Sequence, residues 1–397
     1  DRESAIERLL SSPDFASYWS QLWATILVGR GDEPQSDRER LRLWMEQRLR
    51  ENTPFDQVAF DLISADGVTT LHGPVNFLVA NREDPVTQVS RVFLGVQLDC
   101  ARCHDHPFDR WTQNDYEKMR RFFETMRVQE VSGGTELSDS PGDRRAGEDD
   151  LPQFLTGARP RTSVWRRDLA IMTVRVKPFA RAIGNRAWQL LIGRGIVDPV
   201  DGLSESEPPS VGELHEFLAN RLQQSGFDIQ DLIRLICQSH AYARTDHPAD
   251  TEATLVDRSR DYAAFAARRP RPMLPEQWVL SHETVVRKSL SPIEGGLLEN
   301  KTGQADPVTI NSNAIHLLGT SAVSIGGTDP LSFQRTSQGL LHEISIPSNA
   351  NARSLEELFL ATLQRQPSPN EERLFADASQ RDVLYALLHC NEFVFNH

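Results

Sequence analysis

Apolar residues recur every three to four positions through most of the chain, the spacing that gathers them on one face of a helix. Residues 6–10 and 15–28 carry this period, and a Gly-rich break follows at Gly29-Arg30-Gly31. Over 38–50, Leu41, Leu43, Trp44 and Leu49 alternate with basic residues, as on a surface helix. Thr53-Pro54-Phe55-Asp56 stops one helix and starts the next, over 55–63. A run over 87–98 leads into Cys100, and Thr112-Gln113-Asn114-Asp115 caps a helix over 116–126. The same period predicts helices over 178–192, 211–224, 228–239, 251–268, 275–289, 355–365 and 370–395, with a Gly/Ser/Thr-rich segment over 295–329. The fold class this predicts is mainly α-helical: two helical segments joined by a long polar loop, with irregular Gly/Ser-rich connections.

Between 128 and 160 the pattern lapses into Gly- and Asp-rich sequence with few apolar anchors, which reads as a solvated linker. The expected division is therefore 1–127, a polar linker over 128–160, and 161–397. With 39% hydrophobic and 25% charged residues, the composition is that of an ordinary globular protein. A formal net charge of −13 argues against nucleic acid as a partner and against docking on anionic lipid. No run approaches the roughly 18 uninterrupted apolar residues a membrane span needs. No secretory leader is legible at Asp1-Arg2-Glu3-Ser4, which leads into an amphipathic run as a mature or trimmed product would. Cys237 and Cys390 sit in apolar helical runs and read as buried, inert thiols, with a long-range disulfide as the alternative.

The chemistry concentrates at Cys100-Ala101-Arg102-Cys103-His104. With four Cys and 11 His in 397 residues, chance supplies such a pattern roughly 0.001 times. The spacing is that of a c-type haem attachment site. Two thiols one turn apart can each add to a porphyrin vinyl group, and the following imidazole can ligate the iron. Rival readings are a zinc site, a thioredoxin-like or disulfide-forming pair, and a non-haem metal held by His104, His106 and Asp109. No P-loop, Gly-x-Ser-x-Gly or His-Glu-x-x-His occurs.

The stretch from Arg91 through the motif to Asp105-His106-Pro107-Phe108-Asp109-Arg110-Trp111 resembles the planctomycete-type cytochrome-c-like domain of unknown function. Phe179-Ala180-Arg181-Ala182-Ile183-Gly184-Asn185-Arg186-Ala187-Trp188 and Gly193-Arg194-Gly195-Ile196-Val197-Asp198-Pro199-Val200-Asp201 resemble its companion, a second planctomycete-specific domain. So do Pro208-Pro209-Ser210, residues 357–367 and residues 391–397. The resemblance implies a cytochrome-c-like haem-attachment segment over 1–127 and a companion helical domain over 161–397. Covalent haem implies a periplasmic or otherwise extracytoplasmic site, where c-type haem is attached. Family members often carry a further N-terminal cytochrome domain, so a count of one haem c applies to these 397 residues alone.

On this reading His104 is the proximal iron ligand, and Cys100 and Cys103 carry the ring. Arg102 and Arg110 are candidates for the propionates, Trp111 for a wall at the ring edge, and His106 for a bond to a propionate or to Asp109. Met119 and Met126 are the nearest candidate sixth ligands. With Tyr116 and Phe123 they would form one helical face at i, i+3, i+7 and i+10, and core packing is their alternative role. His72, His215, His240 and His282 are more distant candidates. The expected function is redox or electron transfer with a partner protein or a small molecule. The alternatives are a haem-containing extracytoplasmic enzyme, with polymeric carbohydrate as one substrate class, and a non-haem metal-stabilised interaction protein.

Overall fold

The structure, a computed structural model, describes residues 1–31, 33–143, 147, 150–204, 208–244, 255–268, 271–274, 277, 281, 354–363, 365–376, 378, 380–389 and 395–396. Among the described residues it is mainly α-helical, with one three-stranded sheet and one two-stranded pairing, and the helical character is what the periodicity predicts. The helices expected over 275–289, the segment 295–329, His282 and Cys390 lie outside the described residues.

The chain divides by compactness into Asp1–Arg269 and Pro270–His397. In the first unit, α1 (Arg2–Leu10) and α2 (Pro13–Val28) open the chain, and Ser12 caps α2 by accepting from the Phe15 N–H. α3 (Arg38–Arg50) packs along α2, burying Leu41, Met45 and Leu49. In α4 (Phe55–Ile63), Phe55 lies against Trp23 of α2 with ring centroids 4.5 Å apart. After the short strand β1 (Gly67–Val68) come α5 (Val75–Ala80) and α6 (Pro85–Val89). A π-helical turn over Ser90–Leu94 follows, and α7 (Gln113–Arg120) continues into a tight turn over Arg121–Phe123. α8 (Trp165–Arg175), α9 (Lys177–Ile192), α10 (Gly212–Gln224), α11 (Ile229–Gln238) and α12 (Leu255–Ala263) complete the unit. Cys237 is buried in α11, and burial pushes its thiol up to about 11, beyond the reach of neutral-pH reactivity.

Two expectations are corrected here. The helix expected over 116–126 ends at Arg120, and Met126 opens a strand, so Met126 does not share a helical face with Tyr116 and Met119. Thr112 and Asp115 form a capping box at the start of α7, but Arg121-Phe122-Phe123 tighten its end and turn the chain. The stretch read as a solvated linker is also structured. β2 (Met126–Val131) and β3 (Gly134–Asp139) pair antiparallel from Met126↔Asp139 to Val131↔Gly134, and β3 also pairs with β1. Gly133, at φ +93°, makes the hairpin turn that a side chain would strain. Leu137 and Phe154 are the buried anchors, and the Phe154 N–H and Ala158 carbonyl close a loop at 2.8 Å. Asp139 is bound rather than solvated: the fully buried Arg166 of α8 donates Nε to its Oδ1 at 2.8 Å and Nη1 to the Ala65 carbonyl at 2.7 Å.

A run of aromatic rings ties residues on either side of the 128–160 stretch together. Phe77 of α5 meets Phe93 at 5.7 Å, Phe93 meets Phe179 of α9 at 6.4 Å, and Phe179 meets Phe227 at 5.4 Å. Residues from both sides of the 128–160 stretch thus share one core, and the compact units part at Arg269 rather than within it. In the second unit, β4 (Arg271–Pro272) pairs antiparallel with β5 (Phe395–Asn396). There α13 (Leu355–Leu363) packs on α15 (Gln380–His389), and α14 (Pro369–Leu374) opens with a Ser368/Glu371 capping box.

Candidate functional site

The motif lies on a surface turn. Cys100–Arg102 form a single 3₁₀ turn, and the Cys100 carbonyl accepts both the Cys103 and His104 N–H groups at 3.3 Å. Ala101 is fully buried and anchors the turn, while Cys100 and Cys103 are free thiols facing solvent. The His104 Nδ1–H donates to the Asp105 carbonyl at 2.8 Å. With Nδ1 as the donor, Nε2 is the nitrogen that the neutral ring would offer to a metal.

The following loop is braced by its own bonds. His106 N–H donates to the Trp111 carbonyl at 2.8 Å, and Asp105 Oδ1 accepts the Gln113 N–H at 2.8 Å. His106 Nδ1 accepts the Phe108 N–H, and Asp109 Oδ1 accepts the Arg110 N–H. The structure does not bring His106 to Asp109 as a bonded pair; each closes on the neighbouring backbone instead. Trp111 is buried with the Arg110 guanidinium 4.5 Å from its ring centroid, whereas Phe108 is 80% exposed beside the turn.

Two charged networks hold the turn from behind. Arg102 reaches Asp84 at 3.8 Å, and Asp84 also accepts the Tyr116 hydroxyl at 3.0 Å and caps α6 through the Thr87 N–H. Burial and the Asp84 charge push the Tyr116 hydroxyl well above its usual range, so it remains a donor. On the other side Arg91 reaches Asp99, the residue before Cys100, at 3.8 Å and donates Nε to Asp201 at 2.6 Å. Gln97 also donates to Asp201, at 3.1 Å. Burial works against the Asp201 charge, but the bonds from Arg91 and Gln97 prevail and hold its carboxyl below the usual carboxylate range. Nearby, burial pushes the Arg186 guanidinium down to about 10, with Asp201 opposing the shift. Between these groups the Gly95 carbonyl accepts the Leu203 N–H at 2.7 Å. Gly95 has φ +68°, and a Cβ there would lie 2.5 Å from Leu203 Cδ1, so the close approach requires glycine.

Met119 is fully buried on α7, and Met126 is half-buried on β2. Asp109, Arg110 and Trp111 border a cavity of about 390 Å³ whose far wall is built by α9 and α10. His215 lies in that wall, 2% exposed, with Nε2–H donating to the Arg181 carbonyl at 3.2 Å. Desolvation lowers its pKa, so the ring is neutral near pH 7. Nothing in the sequence ranks His215 above the other histidines, because α10 and the motif are separated by about a hundred residues of chain.

A helical body that presents a Cys-x-x-Cys-His turn on its surface, beside a lined cavity, defines the class of protein. Residues 1–128 match the family described as PSCyt2, a protein of unknown function (DUF1549). Residues 166–302 match the family described as PSD1, a protein of unknown function (DUF1553). The chain belongs to the planctomycete-type proteins that carry these two domains in this order. No curated protein and no solved structure matches it.

Proposed function

We propose that this is an extracytoplasmic c-type haem protein, with one haem covalently held at Cys100 and Cys103 and a redox role. The observation that carries the reading is the turn itself: two exposed free thiols and an imidazole on one turn, with Nδ1–H bonded and Nε2 available. The donor set fits the group. Thiols must be accessible to form thioether bonds, and Cys100 and Cys103 are. The haem would supply one-electron chemistry. The chain's own part is to hold the turn through Ala101, Arg91–Asp99 and Arg102–Asp84, and to set the imidazole by the Asp105 carbonyl. Phe108, four residues after His104 and exposed, offers an apolar ring that would cover one edge of a porphyrin. Arg102 and Arg110, both at the surface of this loop, are the residues that would meet the propionates, and Trp111 stiffens the loop from below.

The test is a reduced-minus-oxidised visible spectrum of protein exported by a host with haem-maturation machinery. The sharp α and β bands of a c-type haem are expected in the wild type and absent from a Cys100→Ala/Cys103→Ala variant. A wild-type spectrum without haem bands contradicts the reading.

A further inference from the structure

We propose that the cleft of about 530 Å³ between the end of α4, the end of β3 and the start of α8 binds a small zwitterion, an α-amino acid, through Asp66 and Arg167. Phe60 and the capping Ser64 come to it from α4, Ser138 and Asp139 from β3, and Ser163 and Val164 from the lead-in to α8. Its volume is that of a small-molecule site. No residue of the cleft belongs to the Cys-x-x-Cys-His motif or its loop, so the inference goes beyond the haem reading and does not depend on it.

Most polar groups of the lining are already matched. The fully buried Arg166 holds Asp139 at 2.7 Å. In the adjoining cleft, which shares Ser64 and Asp66 with this one, Arg48 holds Asp61 at 3.6 Å. Ser64 and Ser140 donate their hydroxyls to the Phe60 and Thr125 carbonyls. Ahead of α8, the Arg161 and Thr162 N–H groups donate to Asp168, and the Val164 N–H to the Thr162 hydroxyl. Two charges remain. Asp66 and Arg167 are exposed, and neither side chain forms an ion pair or hydrogen bond with a described residue. The Arg167 guanidinium lies 5.9 Å from the ring centroid of Phe60, itself part of the cleft wall, which places that charge at the cleft.

The lining therefore holds one carboxylate and one guanidinium that do not pair with each other. An anion would meet Asp66 as a like charge, and a cation would meet Arg167 so. A neutral molecule would desolvate both charges and return an opposite charge to neither. A zwitterion answers both. The Ser138 and Ser163 hydroxyls donate to no described residue and favour neither sign. Phe60 and the 44% exposed Val164 give the apolar side chain of an α-amino acid a surface to cover.

The probes are L-leucine, N-acetyl-L-leucine, which keeps only the negative charge, and L-leucinamide, which keeps only the positive one. Each is titrated against the full chain at pH 7 by calorimetry. The expected result is saturable 1:1 binding of leucine, with each blocked form weaker by roughly threefold to fivefold, as two exposed ion pairs allow. Asp66→Asn should bring leucine and N-acetyl-leucine to equal affinity and keep the preference over leucinamide. Arg167→Gln should do the converse, and high salt should weaken leucine binding to the wild type. Absence of saturable leucine binding, a blocked form that binds as tightly as leucine, or preferences that survive unchanged in both variants would overturn the proposal. Should either variant fail to fold, the ranking of the three probes on the wild type decides.

Discussion

Asp201 is the residue where one side chain holds the most together. It accepts from Arg91 and Gln97 and offsets the charge of the buried Arg186, so three residues distant in sequence depend on one carboxylate. Asp201→Asn keeps the shape and removes the charge, leaving Arg186 uncompensated, and should destabilise the fold by about 3 kcal/mol in denaturant titrations. The pH dependence follows from the sign of the shift. The folded pKa lies below the unfolded value, so the contribution is fully present above the unfolded pKa of about 3.9 and is lost as pH falls through the folded pKa. The variant should therefore lose less stability than the wild type between about pH 5 and pH 2, and parallel acid-unfolding curves would contradict this. The two methionines separate in the same way. Met119→Ala opens a hole in a fully buried site and should cost about 2–5 kcal/mol, whereas Met126→Ala on half-buried β2 should cost clearly less. Equal midpoint shifts would contradict their placement.

Among the elements, what the sequence made legible is what repeats locally. The courses of α2, α3 and α4 follow from apolar period and from the stop and start residues between them, and the Cys-x-x-Cys-His motif is legible because its five residues are adjacent. What it hid depends on partners distant in the chain. The hairpin β2–β3 looked like linker because its strands are short and polar, and its stability comes from pairing with β1 and from Arg166 on Asp139. Met126 looked helical because the same spacing continues past a turn that Arg121-Phe122-Phe123 impose. α8 carries the same lesson, since its inward face is set by α4 and by a buried arginine that no apolar pattern announces. At the site, the Cys-x-x-Cys-His motif was legible and the cavity was not, because its walls come from 94–111, 154–156 and 176–216. The π-helical turn ending at Gly95 is the element that feeds the motif, and its geometry is testable. Gly95→Ala forces a Cβ to within 2.5 Å of Leu203 Cδ1 at a positive φ, and should destabilise by more than the roughly 1 kcal/mol of the backbone effect alone. A melting temperature equal to wild type would contradict the close approach.

For the whole molecule, the run Phe77–Phe93–Phe179–Phe227 and the Arg91–Asp201 pair mean that the first family's residues complete their core with the second's. Residues 1–128 expressed alone expose the faces of Phe77 and Phe93 that α9 covers. They should show helical far-UV circular dichroism with weak near-UV signal and a broad thermal transition, while residues 1–269 melt cooperatively. A sharp, native-like transition for 1–128 alone would contradict a shared core. That shared core gives the companion domain a physical role: its Asp201 and Leu203 fix the segment that ends at Cys100.

The central claim is a covalent haem on that segment, and the most direct measurement is the intact mass of the denatured protein after export with haem-maturation machinery. Thioether bonds survive denaturation, so the wild type should carry the mass of one haem, the Cys100→Ala/Cys103→Ala variant none, and each single variant a reduced yield. A denatured wild-type protein at its bare polypeptide mass, with haem released or never bound, would contradict the account.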